Sequence, residues 1–75
     1  MEIKFSRHAK RRRILYGIPE DTVKRILENK ELINGKQEVI EECKDFKYPL
    51  KVVVSVENDL AVVITCYPLK RGGKK

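Results

Sequence analysis

The sequence is poor in the residues on which several classes of protein depend. Its 75 residues include two cysteines, far apart and without Cys-x-x-Cys spacing, and one histidine, which argues against a zinc site or a disulfide scaffold. The longest apolar stretches, residues 52–54 and 60–64, fall far short of the roughly 20 residues that a membrane-spanning helix needs. No apolar segment or small-residue cleavage site follows the basic N-terminus. We therefore expect a cytoplasmic protein without a membrane segment.

Several enzyme motifs are also missing. The chain has no glycine-rich phosphate loop, no serine nucleophile motif and no paired-carboxylate signature, so nucleotide hydrolases, serine hydrolases and glycosidases have no support. Nothing in the sequence calls for a metal or a cofactor. The length allows one core only, and we expect a single domain over residues 1–69 with a basic tail over residues 70–75.

Positive charge is what the sequence has in excess, and it lies at the two ends. Lysine and arginine number 17 against 11 acidic residues, for a net charge of +6. Residues 1–13 carry +5, residues 70–75 carry +4, and the segment between them carries −3. This distribution favours an anionic partner for the ends of the chain.

Two helices are predicted in the N-terminal half. Ser6 is a suitable N-cap for a helix over residues 7–16, which Gly17 would end. Pro19 and the two acidic residues after it favour a second helix that runs to about residue 29. Its apolar residues follow the spacing of a helix that buries one stripe: Val23, Ile26 and Leu27.

After the turn signal Asn34-Gly35, β-branched runs predict three strands, near residues 38–43, 51–56 and 60–67. A tight turn at Asn58-Asp59 would join the last two. We expect an antiparallel sheet, to which residues 2–5 either add a fourth, edge strand or lead into the first helix. The predicted fold class is α+β, with two N-terminal helices packed on this sheet.

Alternation along the last two predicted strands assigns their residues to two faces of the sheet. The face that the helices cover would carry Val52, Val54 and Val56 on one strand and Val62, Ile64 and Cys66 on the next. The opposite, wetter face would carry Lys51, Ser55, Thr65 and Tyr67.

The densest cluster of functional groups lies on the first predicted helix. His8 and Arg12 are four residues apart and share a helix face. Adjacent cations repel one another, and nucleic acid is the obvious anion to relieve that repulsion, although a solvated helix surface explains a basic run equally well. The residues that we assign to nucleic-acid binding are Arg7, Lys10, Arg11 and Arg13, with Lys70, Arg71, Lys74 and Lys75 of the tail.

His8 is the side chain best suited to proton transfer near neutral pH. The cations around it disfavour the imidazolium form, which leaves a neutral ring able to accept a proton. A structural histidine at a helix end, bonded to a nearby carbonyl, is the alternative. Thr65 and Tyr67 should share a face of the last strand, where strand propensity and packing alone account for such residues.

Three stretches of the chain together carry a family resemblance. The first comprises residues 5–9 with Arg12 and Gly17-Ile18, the second residues 39–42, and the third residues 49–54 with 64–67. In this order and spacing they resemble the family called "domain of unknown function 4258". That family is similar to small RelE-like toxins, in a fold class with barnase-like and colicin-like ribonucleases. The resemblance implies a RelE-like arrangement of two helices on an antiparallel sheet.

The polar positions that match the family pattern are His8, Arg12, Thr65 and Tyr67. Lys51 stands where many members have a histidine, and Tyr16 where an arginine usually precedes the glycine. The resemblance implies an RNA-cleaving, mRNA interferase-like toxin that needs no metal. His8 would be the base, Arg12 the phosphate clamp, and Lys51 or Tyr67 the acid, with Thr65 orienting a partner.

The acid is the weak element of that assignment, because lysine and tyrosine ordinarily titrate around pH 10. The sequence leaves open whether the protein is an enzyme. RNA or the ribosome would be the partner of a ribonuclease. The alternatives are a non-catalytic nucleic-acid-binding module and a basic partner of an acidic, antitoxin-like protein.

Overall fold

Six elements follow one another along the part of the chain that the computed structural model describes, residues 2–44 and 46–69. They are β1 (Glu2–Phe5), α1 (Arg7–Tyr16), α2 (Glu20–Glu28), β2 (Gly35–Glu41), β3 (Leu50–Glu57) and β4 (Leu60–Pro68). The α+β class and both helices are as predicted. The predicted basic tail lies outside the described residues. No helix in the described ranges is long and apolar enough to cross a membrane.

The sheet has four strands in the order β1-β4-β3-β2, and it is mixed. β2, β3 and β4 are antiparallel neighbours, whereas β1 pairs with β4 in parallel, with Phe5 beside Val63. The prediction of a wholly antiparallel sheet was therefore wrong for β1. A tight turn fixes an antiparallel direction only for the strands that it joins, and no turn joins β1 to β4.

A bulge in β4 changes which of its residues reach the core. Val53 pairs with Thr65 but Val54 pairs with Val63, so Ile64 is an extra residue in β4. Because the extra residue shifts the alternation, the buried residues of β4 are Ala61, Val63 and Cys66. The prediction that Val62 and Ile64 face the helices was wrong, and the predictions for Cys66 and for the three valines of β3 were confirmed.

Local chemistry sets both ends of α1. The Ser6 side chain accepts a hydrogen bond from the Ala9 N–H, and Gly17 adopts a left-handed conformation with φ of 66°. The N–H groups of Gly17 and Ile18 return to the carbonyls of Ile14 and Arg13, at 3.2 and 2.8 Å, which is the Schellman pattern of helix termination. The predicted limits of α1 are thus confirmed.

The core lies between one face of the sheet and the two helices. α2 buries its predicted stripe, Val23, Ile26 and Leu27, and α1 contributes Ala9. The sheet contributes the buried residues of β3 and β4 and Val39 of β2, with Ile3 and Phe5 of β1 packed against them. β1 is therefore a strand of the fold and not only a lead into α1.

β2 differs from its predicted limits. It begins at Gly35 rather than residue 38 and ends at Glu41 rather than residue 43. Gly35 has φ of +108°, a conformation that favours glycine and lets the chain enter the strand directly. The Gln37 side chain accepts from the Ile33 N–H at 3.1 Å and donates to the Gly35 carbonyl at 3.1 Å. These bonds hold the turn against the first residues of the strand.

Candidate functional site

Ser6 joins the beginning of α1 to the bulge in β4. Its hydroxyl donates to the Ile64 carbonyl at 2.9 Å and accepts from the Ala9 N–H at 3.0 Å. The Ser6 N–H donates to the Val63 carbonyl at 2.9 Å. The first turn of α1 therefore starts beside Ile64, one residue before Thr65 in β4.

His8 and Arg12 interact with each other on the surface of α1. The Arg12 Nε–H donates to Nε2 of His8 at 3.4 Å, across one helical turn. The predicted base and the predicted phosphate clamp are thus brought together.

Arg13 points the other way, into the fold. Its Nη1 donates to the Ile18 carbonyl at 3.2 Å, and its guanidinium carbon lies 5.8 Å from the centre of the Phe5 ring. Its Nε is buried and finds no hydrogen-bond partner among the described residues. Burial raises the pKa of the nearby Cys66 thiol, and the positive charge of Arg13 opposes that rise.

The other basic residues assigned to nucleic-acid binding divide into two sets. Arg7, Lys10 and Arg11 of α1 are exposed. Lys70, Arg71, Lys74 and Lys75 lie outside the described residues. Of the four α1 residues assigned to nucleic-acid binding, Arg13 is the one that is held within the fold.

A second polar group lies on the sheet face that the helices leave open. Lys51 of β3 pairs with Tyr67 of β4, and its Nζ lies 3.0 Å from a carboxylate oxygen of Glu38 in β2. Hydrogen bonds to Glu38 and to Tyr67 raise the pKa of Lys51 above its ordinary value of 10.5, against a smaller lowering by desolvation. Lys51 is therefore a stable cation near neutral pH and a poorer proton donor than an ordinary lysine.

Thr65 lies next to this group. It pairs with Val53, two positions along β3 from Lys51, and is half-buried. The predicted open face is therefore present in the structure. It is less polar than expected, because it also carries Val53, an apolar residue that is only 7% exposed. Lys51, Thr65 and Tyr67 are brought together on this face of the sheet.

Glu38 is the member of this group that the sequence reasoning missed. The sequence predicts a strand that begins near this residue and indicates no role for its carboxylate. Its partner in β3 is Val53, so that Glu38 and Lys51 are diagonal neighbours on one face. The β2–β3 register would have identified the contact, but the sequence does not specify that register.

The His8–Arg12 pair (the helix pair) lies on a helix that covers one face of the sheet, and the polar group around Lys51 (the strand group) lies on the opposite, open face. α1 packs against β4, and Ala9 is the residue of α1 that is fully buried there. Helical spacing places Arg13 on one side of Ala9 and the His8–Arg12 pair on the other. A cavity of about 300 Å³ lies elsewhere, between α2 and the end of β2, and none of the predicted catalytic residues lines it.

The family comparison covers both groups. The family described as Domain of unknown function (DUF4258) matches residues 5–68. The chain belongs to this family. The DUF4258 match includes the helix pair, the strand group and the Ser6 bridge between α1 and β4. No curated protein and no solved structure matches the chain. The likeness of DUF4258 to RelE-like toxins stays a prediction.

Proposed function

We propose that this DUF4258 protein binds RNA through the His8–Arg12 pair of α1 and the strand group around Lys51, and that it cleaves RNA without a metal. One observation carries the proposal: the Arg12 Nε–H donates to Nε2 of His8 at 3.4 Å, so an imidazole and a guanidinium lie one helical turn apart. Ser6 holds the first turn of α1 beside Ile64, one residue before Thr65, which supports assigning the two groups to one site.

The reaction requires a base, an acid and positive charge on the phosphate. His8 removes the proton from the ribose 2′-OH, and the 2′-oxygen attacks the adjacent phosphorus. The bond to the 5′-oxygen breaks, and that oxygen takes a proton from the acid. The products are a 2′,3′-cyclic phosphate and a 5′-OH end, so no water, metal or oxidant is consumed.

The strand group supplies the remaining roles. Lys51 stays protonated because of Glu38 and Tyr67, so we assign it to charge stabilisation of the phosphate rather than to proton donation. Tyr67, beside Lys51, is then the proton donor, and Thr65 orients the phosphate or the Tyr67 hydroxyl. Arg12 binds the phosphate through its planar guanidinium. On the ribosome, groups of the RNA itself could supply the acid.

A non-catalytic RNA-binding module is the second candidate. The observation that favours it is the raised pKa of Lys51, which gives this face a permanent cation but no good acid. The exposed Arg7, Lys10 and Arg11 would bind phosphates in either case, with strong salt dependence. Both candidates place the protein in the cytoplasm, with messenger RNA or the ribosome as partner.

Cleavage of RNA by the full chain, with and without ribosomes, separates the two candidates. Wild type, His8→Ala and Arg12→Ala are compared with Arg25→Ala, which removes an exposed arginine from α2 instead. We expect cyclic-phosphate ends from wild type and Arg25→Ala, and none above background from His8→Ala. Equal cleavage by His8→Ala removes His8 from the mechanism. RNA binding without cleavage in both conditions favours the non-catalytic module.

A further inference from the structure

The C-terminal turn of α1 exposes aliphatic side chains that the fold does not use. Ile14 is 71% exposed and Leu15 is 67% exposed. They are adjacent and lie at the end of a helix whose termination is fixed by Gly17. An exposed leucine or isoleucine alone needs no explanation, but two neighbours on one rigid helix end form a small apolar patch.

Helical spacing joins this patch to the exposed cations of α1. Arg7, Lys10, Arg11 and Ile14 follow the i, i+3, i+4, i+7 pattern of a single helix face, and Leu15 is four residues after Arg11. We name this surface the α1 outer face and define it as Arg7, Lys10, Arg11, Ile14 and Leu15. It is cationic at its start and aliphatic at its end.

The α1 outer face is presented rigidly. Ala9 on the opposite side of the helix is fully buried, Ser6 bonds the first turn to β4, and Arg13 bonds the last turn to Ile18. A surface that is fixed before binding costs little conformational entropy when a partner docks. The helix backbone that carries the α1 outer face is therefore ordered before a partner docks.

The cationic start and the aliphatic end of the α1 outer face together restrict which kind of partner can bind it. A second copy of this chain would bring the cations of the two faces close together and cost free energy by like-charge repulsion. RNA matches the cations, but single-stranded bases stack on aromatic rings rather than on aliphatic side chains. Helices that lie in a lipid interface carry apolar residues along much of their length, whereas here they occupy one end.

A protein segment that carries both carboxylates and apolar side chains matches the whole face. We propose that the α1 outer face docks an acidic protein segment, with carboxylates on Arg7, Lys10 and Arg11 and apolar side chains on Ile14 and Leu15. The proposal does not rest on RNA cleavage. Because docking uses the exposed cations of α1, the bound segment would also exclude RNA from them.

The test uses a fluorescently labelled synthetic peptide with glutamates and leucines at helical spacing, and a second peptide with lysine in place of glutamate. Wild type is compared with the double variant Ile14→Ser/Leu15→Ser. The matched control is Ile33→Ser, because Ile33 is also 71% exposed but lies outside α1. Thermal unfolding verifies that each variant is folded.

We expect the acidic peptide to bind wild type and Ile33→Ser equally, and to bind the double variant about tenfold or more weakly, since two aliphatic contacts are lost. The basic peptide should not bind. Equal binding to the double variant, or no binding to wild type, overturns the proposal. So does a concentration-dependent dimer that the double variant abolishes, or binding to anionic lipid vesicles in place of the peptide.

Discussion

Ser6 donates its hydroxyl hydrogen to the carbonyl of Ile64, a residue 58 positions later, at 2.9 Å. The same hydroxyl caps α1, and Ile64 is the bulged residue of β4. One side chain therefore fixes both the start of the helix that carries His8 and Arg12 and the bend of the strand that carries Thr65 and Tyr67.

The first prediction concerns this bridge. Ser6→Ala should lower the free energy of unfolding by about 1–3 kcal/mol, because it removes the N-cap and leaves a part-buried carbonyl without its donor. Ser6→Asp should lose less, since an ionised aspartate still caps the helix but cannot donate to Ile64. Urea unfolding of these variants and of Ser6→Thr, which keeps both functions, checks the expectation. A Ser6→Ala variant as stable as wild type contradicts the bridging role.

The second prediction separates Arg13 from the other basic residues of α1. Arg13→Ala should lower the stability by about 1–2 kcal/mol, because the guanidinium contact with Ile18 and the packing on Phe5 are lost. Arg11→Ala should leave the stability nearly unchanged and reduce the salt dependence of RNA binding by about one phosphate contact. Urea unfolding and RNA titrations at several salt concentrations measure the two effects. If Arg13→Ala and Arg11→Ala changed stability and RNA binding to the same extent, the different burial of the two arginines would have no effect on their roles.

The third prediction concerns the pKa of Lys51. Contact with Glu38 raises this pKa above 10.5 in the folded protein. At pH values below the pKa that Lys51 has in the unfolded chain, the contact therefore stabilises the fold fully. This stabilisation is lost as the pH rises through the higher pKa that Lys51 has in the folded protein. Glu38→Gln should lower the Lys51 pKa in an NMR titration and should be less stable than wild type at neutral pH. The difference in stability should disappear at strongly alkaline pH, and a difference independent of pH would contradict the assignment.

These features differ in how far the sequence predicts them. The limits of α1 follow from Ser6 and Gly17, whose capping chemistry involves residues within a few positions along the chain. The bulge at Ile64 and the parallel partner of β1 depend on contacts with residues far away in sequence, and no local pattern encodes them. The Glu38–Lys51 contact likewise requires the register between two strands. For the same reason the sequence could pair His8 with Arg12, but could not position them relative to β4.

The fourth prediction tests the role of Lys51 in the proposed reaction. Lys51→Arg should retain most of the RNA cleavage, because the proposal uses Lys51 as a cation and not as the acid. Lys51→Gln should lose it. Lys51→His restores the residue that the family pattern favours at this position, and should increase cleavage near pH 6–7, where an imidazolium is a competent acid. Cleavage rates of the three variants across this pH range decide the matter. Loss of activity in Lys51→Arg would show that Lys51 is the proton donor.

The proposed reaction depends above all on His8 as the general base, and chemical rescue tests this role most directly. The measurement is the rate of RNA cleavage by His8→Ala at neutral pH, under the conditions in which wild type cleaves, with and without added imidazole. We predict a loss of about 10²–10⁴-fold without imidazole, typical of a missing general base, and a partial recovery that grows with imidazole concentration. Cleavage by His8→Ala at the wild-type rate, or a lost rate that imidazole leaves unchanged, would contradict the assignment of His8 as the base.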